Sequence, residues 1–369
     1  MKILIAPASF KGTLSADAAA QAIRAGVLQA RADVECVLRP LADGGEGTLA
    51  AVLTATAGTR NVADTVDADG TSLRADYALL ADGTVLIESA RVVGFGRARL
   101  PLAQRSTFGL GLLLRACLAQ GHRRFAIGLG GTSTHDGGAG LLAGLGARLL
   151  DVNDTELPPT PENLFHVAHV DISTLDARLA DCSLEIWSDV DNPLTGANGA
   201  SYVFAPQKGA QAQDCAQLDA ALTHWAQVAD AAFAKNLYAS AGGGAAGGLG
   251  YALQLLGGRV RSGATAVAEY IGIDAALAGC RYAITGEGRA DAQTLHGKAP
   301  LALARAARHA RVPAILLAGV VDPTAAAALA REFAAVASVS DFVAVAGDAG
   351  ADLACAAAAL ARRLDDLIG

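Results

Sequence analysis

The sequence has none of the short signatures of the commonest phosphate and hydrolytic enzymes. No G-x-x-x-x-G-K-[ST] loop, no H-R-D or D-F-G set, no H-E-x-x-H and no G-x-S-x-G occur in its 369 residues. Ordinary P-loop NTPases, protein kinases, zinc peptidases and serine hydrolases are therefore excluded as templates. A net basic charge is also missing: the formal charge is -7 and the pI is near 5.5. Nucleic acid is thereby removed as the main partner, because counterion release needs clustered Lys and Arg. The six cysteines, Cys36, Cys117, Cys182, Cys215, Cys280 and Cys355, show no short paired spacing. Neither a zinc site nor a disulfide framework is expected, and a reducing cytosol fits. Pro7 interrupts the first apolar run too early for a signal peptide. The most membrane-like stretch, residues 312–330, is broken by Pro313, Asp322 and Pro323, so it falls short of the ~20 apolar residues of a span. The expectation is a soluble, cytoplasmic protein that does not engage membranes. No low-complexity tail or internal repeat stands out.

Lysine is scarce as well. There are only five, and three of them touch glycine: Ser9-Phe10-Lys11-Gly12-Thr13, Pro206-Gln207-Lys208-Gly209 and Gly297-Lys298-Ala299. A compact ammonium beside glycine suits a phosphate oxygen. The plainer reading is that lysines are kept out of cores and tolerated beside loop glycines.

What the chain does contain is an alanine-rich apolar composition, 52% hydrophobic against 18% charged, which suits helix-rich packing in a globular fold. The length exceeds what one core usually serves, so two domains are expected. Short β-rich runs alternate with helical stretches, the pattern of an α/β fold with helices on both faces of parallel sheets. Strand 2–6, helix 16–30 with Ser15 as N-cap, and strand 34–40 form a βαβ unit. Further strands are expected at 282–285, 313–318 and 342–346. Between these terminal groups, strands 73–80 and 84–89 flank Asp82-Gly83, a hairpin signal that introduces antiparallel pairing. Strands at 124–129 and 184–190 and helices at 108–120, 138–150 and 212–234 follow, with Leu141, Leu145 and Leu149 on one helical face. An inserted second domain is the reading, with the terminal segments folding together around it.

Six glycine-rich loops carry the polar residues, and ligands in open α/β sheets lie at the carboxyl ends of strands. Ala6 to Thr13 offers backbone N–H groups, Ser9 and Lys11 to an anion, or is an ordinary strand-to-helix loop. In Asp43-Gly44-Gly45-Glu46-Gly47-Thr48 the two acids suit Mg²⁺ or substrate hydroxyls, although Asp43 and Glu46 also have capping-box spacing. Gly128 to Gly138 places Gly130, Gly131, Thr132 and Ser133 before a helix, the strongest anion signal. His135 alone reads as structural, and Asp136 as part of the cap. Asp189 and Asp191 point to one side of an extended chain. Asp191 and Asn192 also fit a plain turn before Pro193, which leaves Asp189 the better catalytic candidate. Gly242, Gly244 and Gly247 match G-x-G-x-x-G without the preceding strand that gives that motif its mechanism. Finally, Glu287, Arg289, Asp291 and Lys298 crowd one loop that could hold a metal ion and a phosphate together.

Taken in order, these motifs resemble the two-domain bacterial glycerate kinases from end to end. The resemblance rests on Ala6-Pro7 through Gly12, Ala42 to Thr48, Gly130 to Gly140, Asp189 to Leu194, Gly244 to Gly250, and Thr285-Gly286-Glu287-Gly288-Arg289 through Lys298. It implies a flavodoxin-like parallel-sheet domain from residues 1–65 plus 281–369 and a mixed-sheet domain, 66–280, inserted in it. It further implies transfer of the γ-phosphoryl of ATP to D-glycerate, at the 2-hydroxyl, in a cleft between the two. Glycerate 3-kinase activity and a non-catalytic protein binding a small acid or nucleotide are the alternatives. Phosphoryl transfer depends on positioning and charge neutralisation, so roles are assigned accordingly. Asp189 is the general base, and Lys11 and Lys298 neutralise charge. Ser9, Asp43, Glu46 and Arg289 bind substrate, Arg289 at the carboxylate. Gly130, Gly131, Thr132, Ser133, Gly247 and Gly248 contact ATP phosphates, and Asp191, Glu287 and Asp291 ligate Mg²⁺. A homo-oligomer is compatible with all of this. The chain departs from the family pattern at Ala8, where Asp is usual, and at His135, where Asn is usual.

Overall fold

Apolar runs alternating with alanine-rich amphipathic stretches build two main sheets, beside two of only two strands, in the computed structural model, which describes residues 1–343 and 347–368. Contacts divide the chain into two units. One holds Met1–Asp43, Ala50–Thr56 and the chain from Ser262 onward; the other holds Gly44–Leu49 and Ala57–Arg261.

In the first unit five parallel strands lie in the order Ala335–Ser338, Ala314–Ala318, Tyr282–Thr285, Lys2–Ile5, Glu35–Leu38. Numbered along the chain this is 2-1-3-4-5, the flavodoxin-like order, whose switch point lies between the first and third strands. Strands covered on both faces read as continuous apolar runs, and Ile3, Leu4, Ile5, Ala283, Ile284 and Ile315 to Ala318 are wholly buried. The Ala16–Ala30 and Ala349–Arg362 helices cover one face, with Ile23, Val27, Leu353 and Leu360 packed against Ile3, Ile5, Ile284 and Leu317. Ser15 caps the first of these helices, its hydroxyl oxygen accepting from Ala18 N at 3.1 Å. The strand expected at 342–346 runs into residues 344–346, which lie outside the described residues. Residues 342–343 are turn, and the fifth strand is instead Ala335–Ser338.

The second unit carries a six-stranded mixed sheet. Arg259–Arg261, Ser183–Trp187, Arg124–Gly128 and Thr84–Glu88 run parallel, and Ser72–Leu79 and Thr59–Val66 complete it antiparallel. The Asp82-Gly83 hairpin forms, with Gly83 at φ +82° and Asp82 Oδ1 accepting from Thr84 N. The expected helix at 138–150 is shorter: it spans Ala139–Gly144, and Arg148–Leu150 is a strand. Gly146 at φ +109° breaks the helix there, a conformation L side chains resist. Leu141, Leu145 and Leu149 are still all buried, so the core periodicity persists across a change of backbone. Among the described residues no helix is long and apolar enough to cross a membrane.

The two covering helices of the first unit meet at Gly26, where an added Cβ would collide with Ala354 O and come within 2.8 Å of Ala358 N. Gly26→Ala should gain about 1 kcal/mol of helix propensity. Overpacking against backbone that cannot rotate away costs about 1–3 kcal/mol. A net loss is expected, read as a lower urea midpoint with an unchanged slope.

Candidate active site

Each unit gathers part of the sequence-predicted set. In the first, the loops after the first and third strands pack on one another at the switch point. Ala8 N donates to Gly286 O at 2.8 Å, and a Cβ on Gly288 would lie 3.3 Å from Lys11 N. Phe10 is buried and anchors this loop, while Ser9 is half-buried and Lys11 exposed. Glu287 is 7% exposed, and its Oε1 accepts from Thr294 Oγ1 at 2.6 Å. Burial pushes its carboxyl up; the Thr294 hydrogen bond and Lys298 oppose this, and Asp291 and Asp43 add to it. Those four ionisable groups are therefore within electrostatic reach of one another. Asp291 caps the short turn after it by accepting from Gln293 N at 2.8 Å, and Lys298 Nζ stands 3.9 Å from its Oδ1. Arg289 lies between Asp291, 3.9 Å from its Nε, and Asp322, 2.9 Å from its Nη2. Hydrogen bonds from Thr324 and then Arg289 hold the Asp322 carboxyl down at about 2.

In the second unit four glycine loops meet backbone to backbone. Gly130 N donates to Gly44 O at 3.3 Å. A Cβ on Gly128 would strike Gly44 O, and one on Gly130 would reach Gly45 Cα at 2.5 Å. Glu46 is exposed. The buried Glu88 braces this turn, accepting from Gly47 N at 3.1 Å and Leu49 N at 3.0 Å. Ser133 spends both its N–H and its hydroxyl on Val93 O, at 2.8 and 2.9 Å, and Thr132 beside it is buried. Asp136 is saturated, accepting from Thr107 N and Oγ1, Gly138 N and Gly140 N. It is thus the helix cap that its position suggested.

Asp189 leaves the end of the Ser183–Trp187 strand half-buried, and Asp191 is exposed. That loop is braced by the glycine-rich one: Gly244 N donates to Asn192 O at 2.9 Å, and a Cβ on Gly244 would strike Pro193 O. Ala246, Gly247 and Gly248 then turn left-handed in succession, φ +57°, +70° and +95°. Gly247 lies on Thr134 O and His135, Gly248 on Gly137, and Gly247 O accepts from Gly137 N at 3.0 Å. The formal G-x-G-x-x-G match is thus a close-packing device that opens the Ala245–Leu255 helix.

Among the described residues no three His, Cys, Asp or Glu side chains form a ready-made metal cluster. Two further groups escaped the sequence reading. Glu88 gave no local signal, because its partners lie about forty residues away in the chain. Lys208 was marked by its glycine neighbour, but its surroundings were not: it is buried, and its Nζ donates to Thr134 O at 2.7 Å.

With this geometry in place, comparison with known proteins is informative. Residues 3–368 match the model of the family described as glycerate kinase. A Bacillus subtilis (strain 168) protein named glycerate kinase is 41% identical over 330 residues, 87% of this chain and 86% of its own length. An Escherichia coli K12 protein named glycerate 2-kinase is 41% identical over 325 residues, 86% and 85% of the two chains. A crystal structure from Salmonella typhimurium LT2, provisionally named glycerate kinase 2, superposes with TM-score 0.83 at 37% identity, covering 99% of this chain and 97% of that one.

Two outcomes test the second unit's packing. Gly247→Ala combines a left-handed φ with a collision at Thr134 O, so it should cost well over 1 kcal/mol of stability, seen in urea unfolding. His135 is held neutral by burial, reinforced by Lys208, with its pKa lowered to about 3 from 6.5. Below pH 6.5 the unfolded chain binds a proton that the native state refuses, so stability falls as pH drops towards 3, at most by about 1.4 kcal/mol per pH unit. His135→Asn removes this titration, and the stability advantage of wild type over the variant should shrink between pH 6.5 and 4.5.

Proposed function

The chain belongs to the glycerate kinase family, phosphotransferases with an alcohol acceptor, and from that premise we propose that it moves the γ-phosphoryl of ATP to the 2-hydroxyl of D-glycerate, in the cytoplasm. The observation that carries this reading is the 2-1-3-4-5 sheet, whose switch-point loops bear Lys11, Glu287, Asp291 and Lys298. Open α/β sheets take their ligands at that point. The relative named glycerate 2-kinase supports the 2-hydroxyl over the 3-hydroxyl.

In-line phosphoryl transfer asks a protein mainly for position and countercharge. In the first unit Lys11 and Lys298 supply countercharge to the phosphates. Ser9 and Asp43 hydrogen-bond the acid's hydroxyls, and the exposed Arg289, once exchanged from half-buried Asp322, takes the carboxylate in a planar fork. In the second unit Gly131 and Thr132 with Gly248 supply close-lying backbone for ATP phosphates, while Gly130 and Gly247, whose N–H groups are spent on Gly44 O and Gly244 O, let that backbone approach closely. Ser133 fixes that loop through Val93 instead of donating its hydroxyl. Glu46 is a further substrate contact, and Asp189 accepts the proton of the attacking hydroxyl. Mg²⁺ in kinases is held by one or two carboxylates plus substrate phosphates. Glu287 and Asp291 fit that donor set: burial raises the Glu287 carboxyl, with Asp291 and Asp43 adding to it, and a divalent cation would relieve that cost; the exposed Asp191 is the remaining candidate. Bound there, the cation would neutralise phosphate charge.

ADP release should require D-glycerate and Mg-ATP together; release without the acid would indicate mere ATP hydrolysis. The proton-coupled phosphorus NMR signal of the product should be a doublet, from one carbinol proton, whereas a triplet would assign the 3-hydroxyl. Asp189→Asn should lower kcat about 10²- to 10⁴-fold with little change in KM, and retention of most of kcat would remove Asp189 from the general-base role.

A further inference from the structure

Lys208 belongs to none of the roles above, yet it is the most constrained cation in the second unit. It is 4% exposed, and among the described residues its ammonium has one hydrogen-bond acceptor, Thr134 O at 2.7 Å. An ammonium carries three N–H donors, so two remain unused. Beside it, Thr134 Oγ1 and His135 Nδ1 are buried with no hydrogen-bond partner among the described residues, on residues 0% and 1% exposed. Three adjacent polar groups thus share unspent capacity in a place where unspent capacity is costly.

A structural explanation would supply a carboxylate to the lysine. The nearest acid is Asp136, but its oxygens are already filled by Thr107, Gly138 and Gly140, and it makes no ion pair with Lys208 within 4 Å. A methionine would fill the same volume without a buried charge. The frame is equally specific. Arg105 Nη1 donates to Ser133 O at 3.2 Å and Lys208 O at 3.1 Å, tying the two segments together. On the other side Gly247 sits where a Cβ would come within 3.0 Å of Lys208 Nζ. His135 Nε2 lies 2.9 Å from Ser201 Oγ. Either of those two atoms can donate to the other, but on either tautomer the ammonium and the Thr134 hydroxyl offer donors, and with Ser201 donating the ring's Nδ1–H joins them. A set made of donors with one positive charge selects oxygens bearing negative charge.

We propose that Lys208, Thr134 and His135 form a buried oxyanion subsite, for a phosphoryl group of the nucleotide or the carboxylate of the acceptor acid. This rests on the kinase reading in naming those two sources; the oxyanion chemistry itself does not. Burial lowers the Lys208 pKa to about 7, Asp136 working against this and Arg105 with it. A bound oxyanion favours the protonated ammonium, so anion affinity falls as pH rises through that value. His135 stays neutral across the range.

The test is calorimetric titration of wild type, Lys208→Met and Thr134→Val with sulfate, ADP and D-glycerate. Sulfate keeps one charge state, so its affinity should decline from pH 6 to pH 9 in wild type and be flat in Lys208→Met. Loss of a charged hydrogen-bond donor should weaken the relevant ligand about 10- to 100-fold. Weakening of ADP alone assigns the phosphoryl group, and weakening of D-glycerate alone assigns the carboxylate. Thr134→Val exchanges one hydroxyl for a methyl and reports on the same subsite if Lys208→Met fails to fold. Affinities for all three probes unchanged in the variants, with only thermal stability altered, would overturn the proposal and make Lys208 structural. Wild type that binds sulfate through Lys208 but shows no D-glycerate-dependent ADP release would sink the kinase reading and leave the subsite standing.

Discussion

Backbone against backbone, with no side chain between, is the contact on which the second unit's loops depend. Gly128 and Gly130 lie on Gly44 and Gly45, Gly244 on Pro193, Gly247 on Thr134 and Gly248 on Gly137. Each is a place where a single methyl would collide with main-chain atoms that cannot move aside. Glycine gives up conformational entropy in such a role, and the repeated acceptance of that cost shows that closeness is being selected. Loops packed this tightly bring peptide dipoles to spacings that no side chain could bridge. That is how a fold without a Walker-type loop can still present dense, rigid backbone to an anion.

The same rigidity decides what buried charges do. Glu88, Asp136 and Glu287 are all buried carboxylates, and burial raises the pKa of each. Their partners separate them. Glu88 takes two peptide N–H groups at the start of a helix, and Asp136 takes three N–H groups and a hydroxyl, so both are structural anions with little left to offer. Glu287 takes a hydroxyl and feels two further acids and a lysine. A buried carboxylate with one hydroxyl partner, a lysine and two acids in electrostatic reach is less spent on the fold than the other two.

Much of this was legible in the sequence, and the failures have physical causes. The strands at 282–285 and 314–318, the Ser15-capped helix and the Asp82-Gly83 turn are local features, and local chemistry announced them. The helix at 138–150 was overextended because Leu141, Leu145 and Leu149 keep helical spacing while Gly146 quietly ends the helix. The spacing of Asp43 and Glu46 left a cap and a ligand site as alternatives for that loop, and nothing in it announced Glu88, whose carboxylate takes the N–H groups of Gly47 and Leu49 at the start of the Thr48–Ala55 helix. Long-range partners leave no trace in spacing. Lys208 shows the same limit from the other side: its glycine neighbour flagged it, but that its ammonium is buried on Thr134 O is a fact of tertiary structure alone.

The two departures from the family pattern take different meanings from their surroundings. At position 8 the backbone is committed, Ala8 N being bonded to Gly286 O, so the loop's geometry is kept and only a side-chain carboxylate is absent. Glu287, Asp43 and Asp291 already crowd the neighbouring loop with negative charge, and a further acid there would add repulsion unless a cation were present. The change to alanine therefore reduces charge without releasing the fold. At position 135 the imidazole meets Ser201, its Nε2 lying 2.9 Å from Ser201 Oγ. Histidine here ties the loop to that hydroxyl. The departure thus alters how the loop is held more than what it presents.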